Sequence, residues 1–193
     1  MLRLALPCLL ALVALPTAAQ GVAEISATAP RTLFETTDRI KGDDGAYVVH
    51  HTTLTYDPAL GVYVYLIQDE TGAVLARREL EMYLKGPTPA EEAAAQALIE
   101  GHPEISGLMA KAGGEVVVSG GFPLVREEGH GCGPGSRCLQ YDVYEITGDR
   151  SAERIRYVVV DLREVRVFDA DFDVATEGNL AHPAARAQSR RSN

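Results

Sequence analysis

Residues 88–101, T-P-A-E-E-A-A-A-Q-A-L-I-E-G, separate two strand-rich regions of the 193-residue chain, and their reading decides the fold class. Thr88 offers an N-cap hydroxyl and Pro89 takes the first helical position. Glu91 stands where it can close a capping box. Ala90, Ala94, Ala97 and Leu98 then recur at helical spacing until Gly101. His102-Pro103 restarts a shorter helix in which Ile105, Leu108, Met109 and Ala112 share a face, and Gly113-Gly114 stops it. Glu91-Glu92 reads here as an acidic helix start.

On either side the apolar period changes to that of strands. Thr32 to Ile40 and Ala46 to Tyr56 are β-branched and aromatic-rich, and Lys41-Gly42-Asp43-Asp44-Gly45 between them has turn composition. Val62 to Ile67 runs into Asp69-Glu70-Thr71-Gly72 and returns as Ala73 to Ala76, a hairpin signal. After the helices, strands are expected over Glu115 to Val118 with an extension toward Val125, Leu139 to Ile146, Arg154 to Leu162, and Val165 to about Phe172. Tyr157-Val158-Val159-Val160 is apolar on both faces, as in a central strand covered on both sides. The order strands, helices, strands predicts an α+β fold, an antiparallel sheet with one long and one short helix packed on it. The hairpins beginning at Tyr63 and Tyr157 share a pattern of apolar strand, acidic turn and shorter return, a hint of a duplicated unit.

The start of the chain holds Arg3, an apolar run from Leu4 to Leu15 and the small-residue exit Pro16-Thr17-Ala18-Ala19. That is the grammar of a secretory signal peptide, so residues 1–19 are expected to be removed, with cleavage near Ala19, and the protein to be periplasmic or secreted. The run is about 12 residues where a bilayer needs about 20, which argues against integral membrane insertion. Without residues 1–19 the chain has 17 basic and 27 acidic residues. Such a balance repels phosphate backbones and excludes nucleic acid as a natural partner. Residues 20–86 read as a strand-rich half, 87–173 as the helix-plus-sheet unit, and 174–193, poor in large apolar residues, as a disordered tail.

Chemistry concentrates in G-H-G-C-G-P-G-S-R-C, residues 129–138. With Cys8 removed, Cys132 and Cys138 are an even pair in an oxidising compartment and read as a disulfide. The competing reading makes them metal ligands with His130, for zinc or copper(I), joined by His50, His51 or His102 from afar. A copper site on histidines with Met82 or Met109 belongs to the same class. His50 and His51 are neighbours on a strand and point to opposite faces. His130-Gly131-Cys132-Gly133 has the look of an oxyanion loop, but G-x-S-x-G and H-E-x-x-H are both missing. Asp169-Ala170-Asp171-Phe172-Asp173 starts like a calcium loop, yet Val174 and Leu180 stand where Gly and Glu are required. Phe168, Ala170 and Phe172 are expected in the core. No complete catalytic set and no cofactor site emerges, so the protein is not expected to be an enzyme.

Eight tyrosines and no tryptophan make a skewed aromatic set. Tyr63, Tyr65, Tyr141 and Tyr144 lie on expected strands, either as a contact ladder for a protein or peptide or as half-buried sheet packing.

Residues 88–173, with T-P-A-E-E-A-A-A-Q-A-L-I-E-G-H-P-E-I, E-V-V-V, C-L-Q-Y-D-V-Y-E-I and R-Y-V-V-V-D-L-R-E-V-R-V-F, resemble a PepSY-type or cystatin-like domain. Such domains also occur as small N-terminal domains of copper amine oxidases. The resemblance implies a helix on a curved antiparallel sheet and a non-catalytic role in binding another exported protein or peptide. A periplasmic copper- or zinc-binding protein is the alternative. The C-x5-C insertion and the strand-rich first half depart from the simplest form of that family.

Overall fold

A computed structural model describes residues 25–42, 44–148 and 151–178. The expected signal segment and residues 179–193 lie outside the described residues. Among the described residues the chain forms two antiparallel four-stranded sheets and three short helices. The first sheet is a meander of β1 (Arg31–Lys41), β2 (Tyr47–Asp57), β3 (Val62–Asp69) and β4 (Val74–Leu80). Helices α1 (Pro89–Gly101) and α2 (Pro103–Met109) follow. The second sheet repeats the meander with β5 (Glu115–Pro123), β6 (Cys138–Ile146), β7 (Ala152–Asp161) and β8 (Arg166–Asp169). The fold is therefore mixed but richer in strand than one sheet under two helices, because residues 31–80 close a sheet of their own.

The helix begins as its capping box dictates. The Thr88 hydroxyl accepts from the Glu91 amide at 3.2 Å, and the Thr88 amide donates to the Glu91 carboxylate at 3.0 Å. Its buried stripe, however, is Glu91, Ala94, Ala95 and Ile99, with Ala90 and Ala97 exposed. This corrects the face expected from alanine spacing. Alanine is too small to decide which way a helix rolls, and the carboxylate of Glu91 turns inward to meet a buried arginine. Ile105 of α2 joins Ala94, Ala95 and Ile99 against Tyr141, Val143, Val158 and Val160 of the second sheet.

The double-sided strand is present. Val158, Val159 and Val160 are all fully buried, with Val158 and Val160 on the helix side and Val159 on the other among Leu124, Cys132, Cys138 and Phe172. Phe168 packs beside Phe172, whereas Ala170 packs on the helix side, so these three do not share one face. Asp173 is an N-cap: its carboxylate accepts from the Ala175 amide at 2.9 Å and starts α3 (Val174–Glu177). The tail expected to be disordered from Val174 thus opens with a helical turn, tied down by the half-buried Val174 packed against the cluster of Leu124 and Phe172 and by Arg126 donating to the Glu177 carbonyl.

Cys132 and Cys138 form a disulfide with Cα atoms 5.5 Å apart, and both are buried. The loop they close is the joint between the sheets. Its Gly135 amide donates to the Glu81 carbonyl at 2.7 Å. The Gly135 carbonyl receives the Tyr56 hydroxyl at 2.8 Å, and the Ser136 carbonyl receives that of Tyr63 at 2.9 Å. No helix among the described residues is long and apolar enough to cross a membrane.

Because the bond closes a short loop on which both sheets lean, replacing Cys132 and Cys138 by alanine is expected to lower stability by about 2 kcal/mol on the chain-entropy estimate. Urea unfolding of the double variant measures this, and an unchanged midpoint would show that the hydrogen bonds hold the joint alone.

Candidate functional site

The most heavily buried charges are the first place to look for chemistry. Glu91 and Arg137 are 0 % and 1 % exposed, and Arg137 donates through Nε and Nη2 to the two Glu91 oxygens at 3.1 and 2.9 Å. Arg137 also donates to the carbonyls of Lys85 at 2.6 Å and Gly86 at 3.0 Å. Arg31 stands 3.7 Å from the same carboxylate and donates to the carbonyls of Ser26 and Leu162. Burial alone raises the Glu91 carboxyl, but the hydrogen bonds and charge of Arg137, the Thr88 amide and Arg31 outweigh it and hold the carboxyl below its ordinary value. The cavity beside Arg137 is only about 10 Å3, room for no more than one water, so a substrate does not reach this pair. It is structural.

The histidines named from the sequence are dispersed. His50 faces Asp38 and Asp69 across β2, and His51 faces Thr37 and Gln68, with its Nδ1 2.9 Å from the Thr37 hydroxyl. His102 joins α1 to α2 with Nδ1 buried and unpartnered among the described residues. His130 accepts the Cys132 amide at Nδ1, 2.9 Å away, and leans on Phe168. The disulfide removes both thiolates from the proposed ligand set. Among the described residues no three His, Cys, Asp or Glu side chains come together to hold a metal.

The tyrosines divide. Tyr63 is buried in the first-sheet core on Tyr56 and Tyr83, and Tyr65 packs half-buried against the same cluster. Tyr141 is buried under α1 and donates to the Glu92 carboxylate at 2.9 Å, with burial and that charge raising its phenol. Tyr63 and Tyr141 are therefore core residues and present no surface to a partner. Tyr144 is the exception, because on β6 Leu139, Tyr141 and Val143 face the helices while Gln140, Asp142 and Tyr144 face the other way.

That second face is covered at one end by Leu124, the disulfide, Phe168 and Phe172, and open at the other. Across its open part Val117 opposes Tyr144 and Phe122 opposes Gln140, and they are 37 % and 61 % exposed. On the other flank, Arg154 opposes Tyr144 and Tyr157 opposes Asp142. The Arg154 guanidinium lies 4.4 Å from the Tyr157 ring centre and 5.3 Å from that of Tyr144. It donates to the Tyr144 hydroxyl at 3.0 Å and to that of Tyr157, and its Nε stands 3.2 Å from Asp142. The hydrogen bond to Tyr144 leads the effects that raise its pKa.

Arg154, Tyr157 and Phe122 escaped the sequence reading for a definable reason. Strict alternation would put residues 154 and 157 on opposite faces. A register shift in the β6–β7 pairing inserts one residue, so Ile155 packs into the helix-side core and Arg156 reaches Glu104 of α2, while Arg154 and Tyr157 share the open side. A second shift, in the β5–β6 pairing between Gly120 and Phe122, likewise resets Phe122 to face outward. No protein-family model matches the chain, and no curated protein matches it.

Removing the Glu91 charge leaves Arg137 buried and unpaired, so Glu91→Gln is expected to cost about 3–5 kcal/mol. The double variant Glu91→Leu/Arg137→Met, which removes both charges, should be more stable than Glu91→Gln, as thermal unfolding of the variants would show. The linked pH effect has a defined sign. A carboxyl held low in the fold contributes stability above its ordinary 4.5 that is lost as pH falls through the lower folded value. Wild type should therefore lose stability on acidification below about 4.5, and this loss should shrink in Glu91→Gln.

Proposed function

We propose that this protein is an exported, non-catalytic binding module that recognises another exported protein or peptide through the open face of its second sheet. The observation that carries the reading is Arg154, held exposed between Tyr144 and Tyr157, with Val117 across β6 opposite Tyr144 and the exposed Phe122 ring further along the same face. Arginine and tyrosine are the residue types that concentrate binding energy at interfaces, because each gives large contact area and a polar tip at small entropic cost when already fixed in place. Here the guanidinium is fixed before any partner arrives.

Export is supported by the N-terminal sequence and by a disulfide that an oxidising compartment would keep closed. A PepSY-like or cystatin-like arrangement is supported by α1 and α2 lying on one face of a four-stranded meander, which leaves the opposite face for contact. A non-catalytic role fits the perturbed acid Glu91, which is 0 % exposed and out of a substrate's reach.

The test is cross-linking of the exported protein in its own periplasmic or culture fluid, followed by affinity measurement for whatever is captured. Phe122→Ala and Arg154→Ala should each weaken binding by at least about 1 kcal/mol, roughly fivefold. Phe122→Ala should keep its folded stability within about 0.5 kcal/mol of wild type, since the ring is exposed, whereas Arg154→Ala also gives up the contacts with Tyr144, Tyr157 and Asp142, so its affinity is compared at a temperature where both proteins are fully folded. Capture that survives both substitutions unchanged would move the contact surface elsewhere, and no capture at micromolar concentration would remove the proposal.

A further inference from the structure

Away from that face, the junction of the two sheets leaves an open cleft of about 510 Å3. The turn between β2 and β3 brings Leu60 to one wall, the start of the inter-sheet linker brings Glu81, and the loop before β6 brings Glu128 and Pro134. Arg163, from the turn after β7, completes the lining. Its Nε donates to the Pro58 carbonyl at 2.9 Å and its Nη1 to the Gly135 carbonyl at 3.4 Å, so the guanidinium bridges the two sheets. Gly61 makes this possible: its φ is +67°, and a Cβ there would come within 2.8 Å of Nη1.

Three properties of the lining define what it fits. The carboxylates of Glu81 and Glu128 take part in no hydrogen bond or ion pair among the described residues, so they outnumber the single guanidinium and are not neutralised. Leu60 is 71 % exposed and offers apolar area that nothing covers. Arg163 retains Nη2 without a partner among the described residues, a donor for a carbonyl. The chain as a whole carries a net charge of -9, which raises the local concentration of cations around such a cleft.

We propose that the cleft binds a peptide segment bearing a lysine or arginine side chain. The cationic head sits between Glu81 and Glu128, the aliphatic stem lies along Leu60 and Pro134, and a peptide carbonyl takes the free donor of Arg163. A long basic side chain suits this lining because it buries its stem on apolar surface while its charge stays near water. The site is separate from the open sheet face and does not depend on it.

Titration of the isotope-labelled exported protein with acetyl-Ala-Lys-Ala-amide, followed by amide chemical shifts, tests the proposal. Saturable shifts are expected at residues 60–62 and 128–135, with none for acetyl-Ala-Ala-Ala-amide. Glu81→Gln/Glu128→Gln keeps shape and removes both charges, and should raise Kd about tenfold, since two partly exposed ion pairs are lost. Leu60→Ala should raise it a few-fold by exposing the stem. Butylamine, with a head and stem but no carbonyl, should bind several-fold more weakly than the peptide. Shifts scattered over the acidic surface, or a double variant that binds like wild type, overturn the site. Butylamine binding as well as the peptide overturns the peptide assignment. Phe122→Ala should leave the titration unchanged, so failure here and failure of the sheet-face reading are told apart.

Discussion

One carboxylate organises this fold. Glu91 receives the Thr88 amide, which sets the start of α1, and Nε and Nη2 of Arg137, which set the disulfide loop. Through Arg137 it also fixes the carbonyls of Lys85 and Gly86 in the linker, and beside it Arg31 holds the Leu162 carbonyl and the start of β1. Four segments thus meet at one buried charge pair. Desolvating those charges is expensive, and the arrangement is favourable only because nearly every lone pair and proton has a partner. Such a centre permits one way of seating the two sheets. Any shift would leave a charge buried alone.

The pair also explains which parts of the molecule the sequence reveals and which it hides. Element positions are legible from local signals: the capping box of residues 88–91, turn glycines such as Gly72 at positive φ, and the doubly apolar run 158–160. The disulfide is legible from the even count of cysteines left once the expected leader is set aside. The existence of a second sheet is not, because strand pairing is a long-range property and residues 31–80 carry the same alternation whether they extend a sheet or close their own. Nor is the inward turn of Glu91, since its partner lies 46 residues away and arginine in a glycine-rich loop carries no local mark.

The candidate surface was half visible for a related reason. Tyrosine count alone could not separate Tyr63 and Tyr141, which are buried, from Tyr144, which faces out. Side-chain direction on a strand follows alternation only while the ladder is regular. The bulges in β5 and β7 break it where Phe122 and Arg154 are brought to the open side. Irregular ladders therefore brought Phe122 and Arg154 to the candidate face, which Val117 and Tyr144 reach by plain alternation.

The topology has a kinetic consequence. Each sheet is a meander whose neighbouring strands are neighbours in sequence, and the disulfide spans only six residues, so every one of these units closes over short chain separations. The contacts that join them do not: Tyr56 reaches Gly135 over 79 residues and Arg31 reaches Leu162 over 131. Loop-closure entropy places such contacts late on the folding path, after the local hairpins exist. Interactions made after the rate-limiting barrier govern how fast a protein comes apart and leave how fast it assembles nearly untouched. The inter-sheet seam is thus the element that sets the lifetime of the native state.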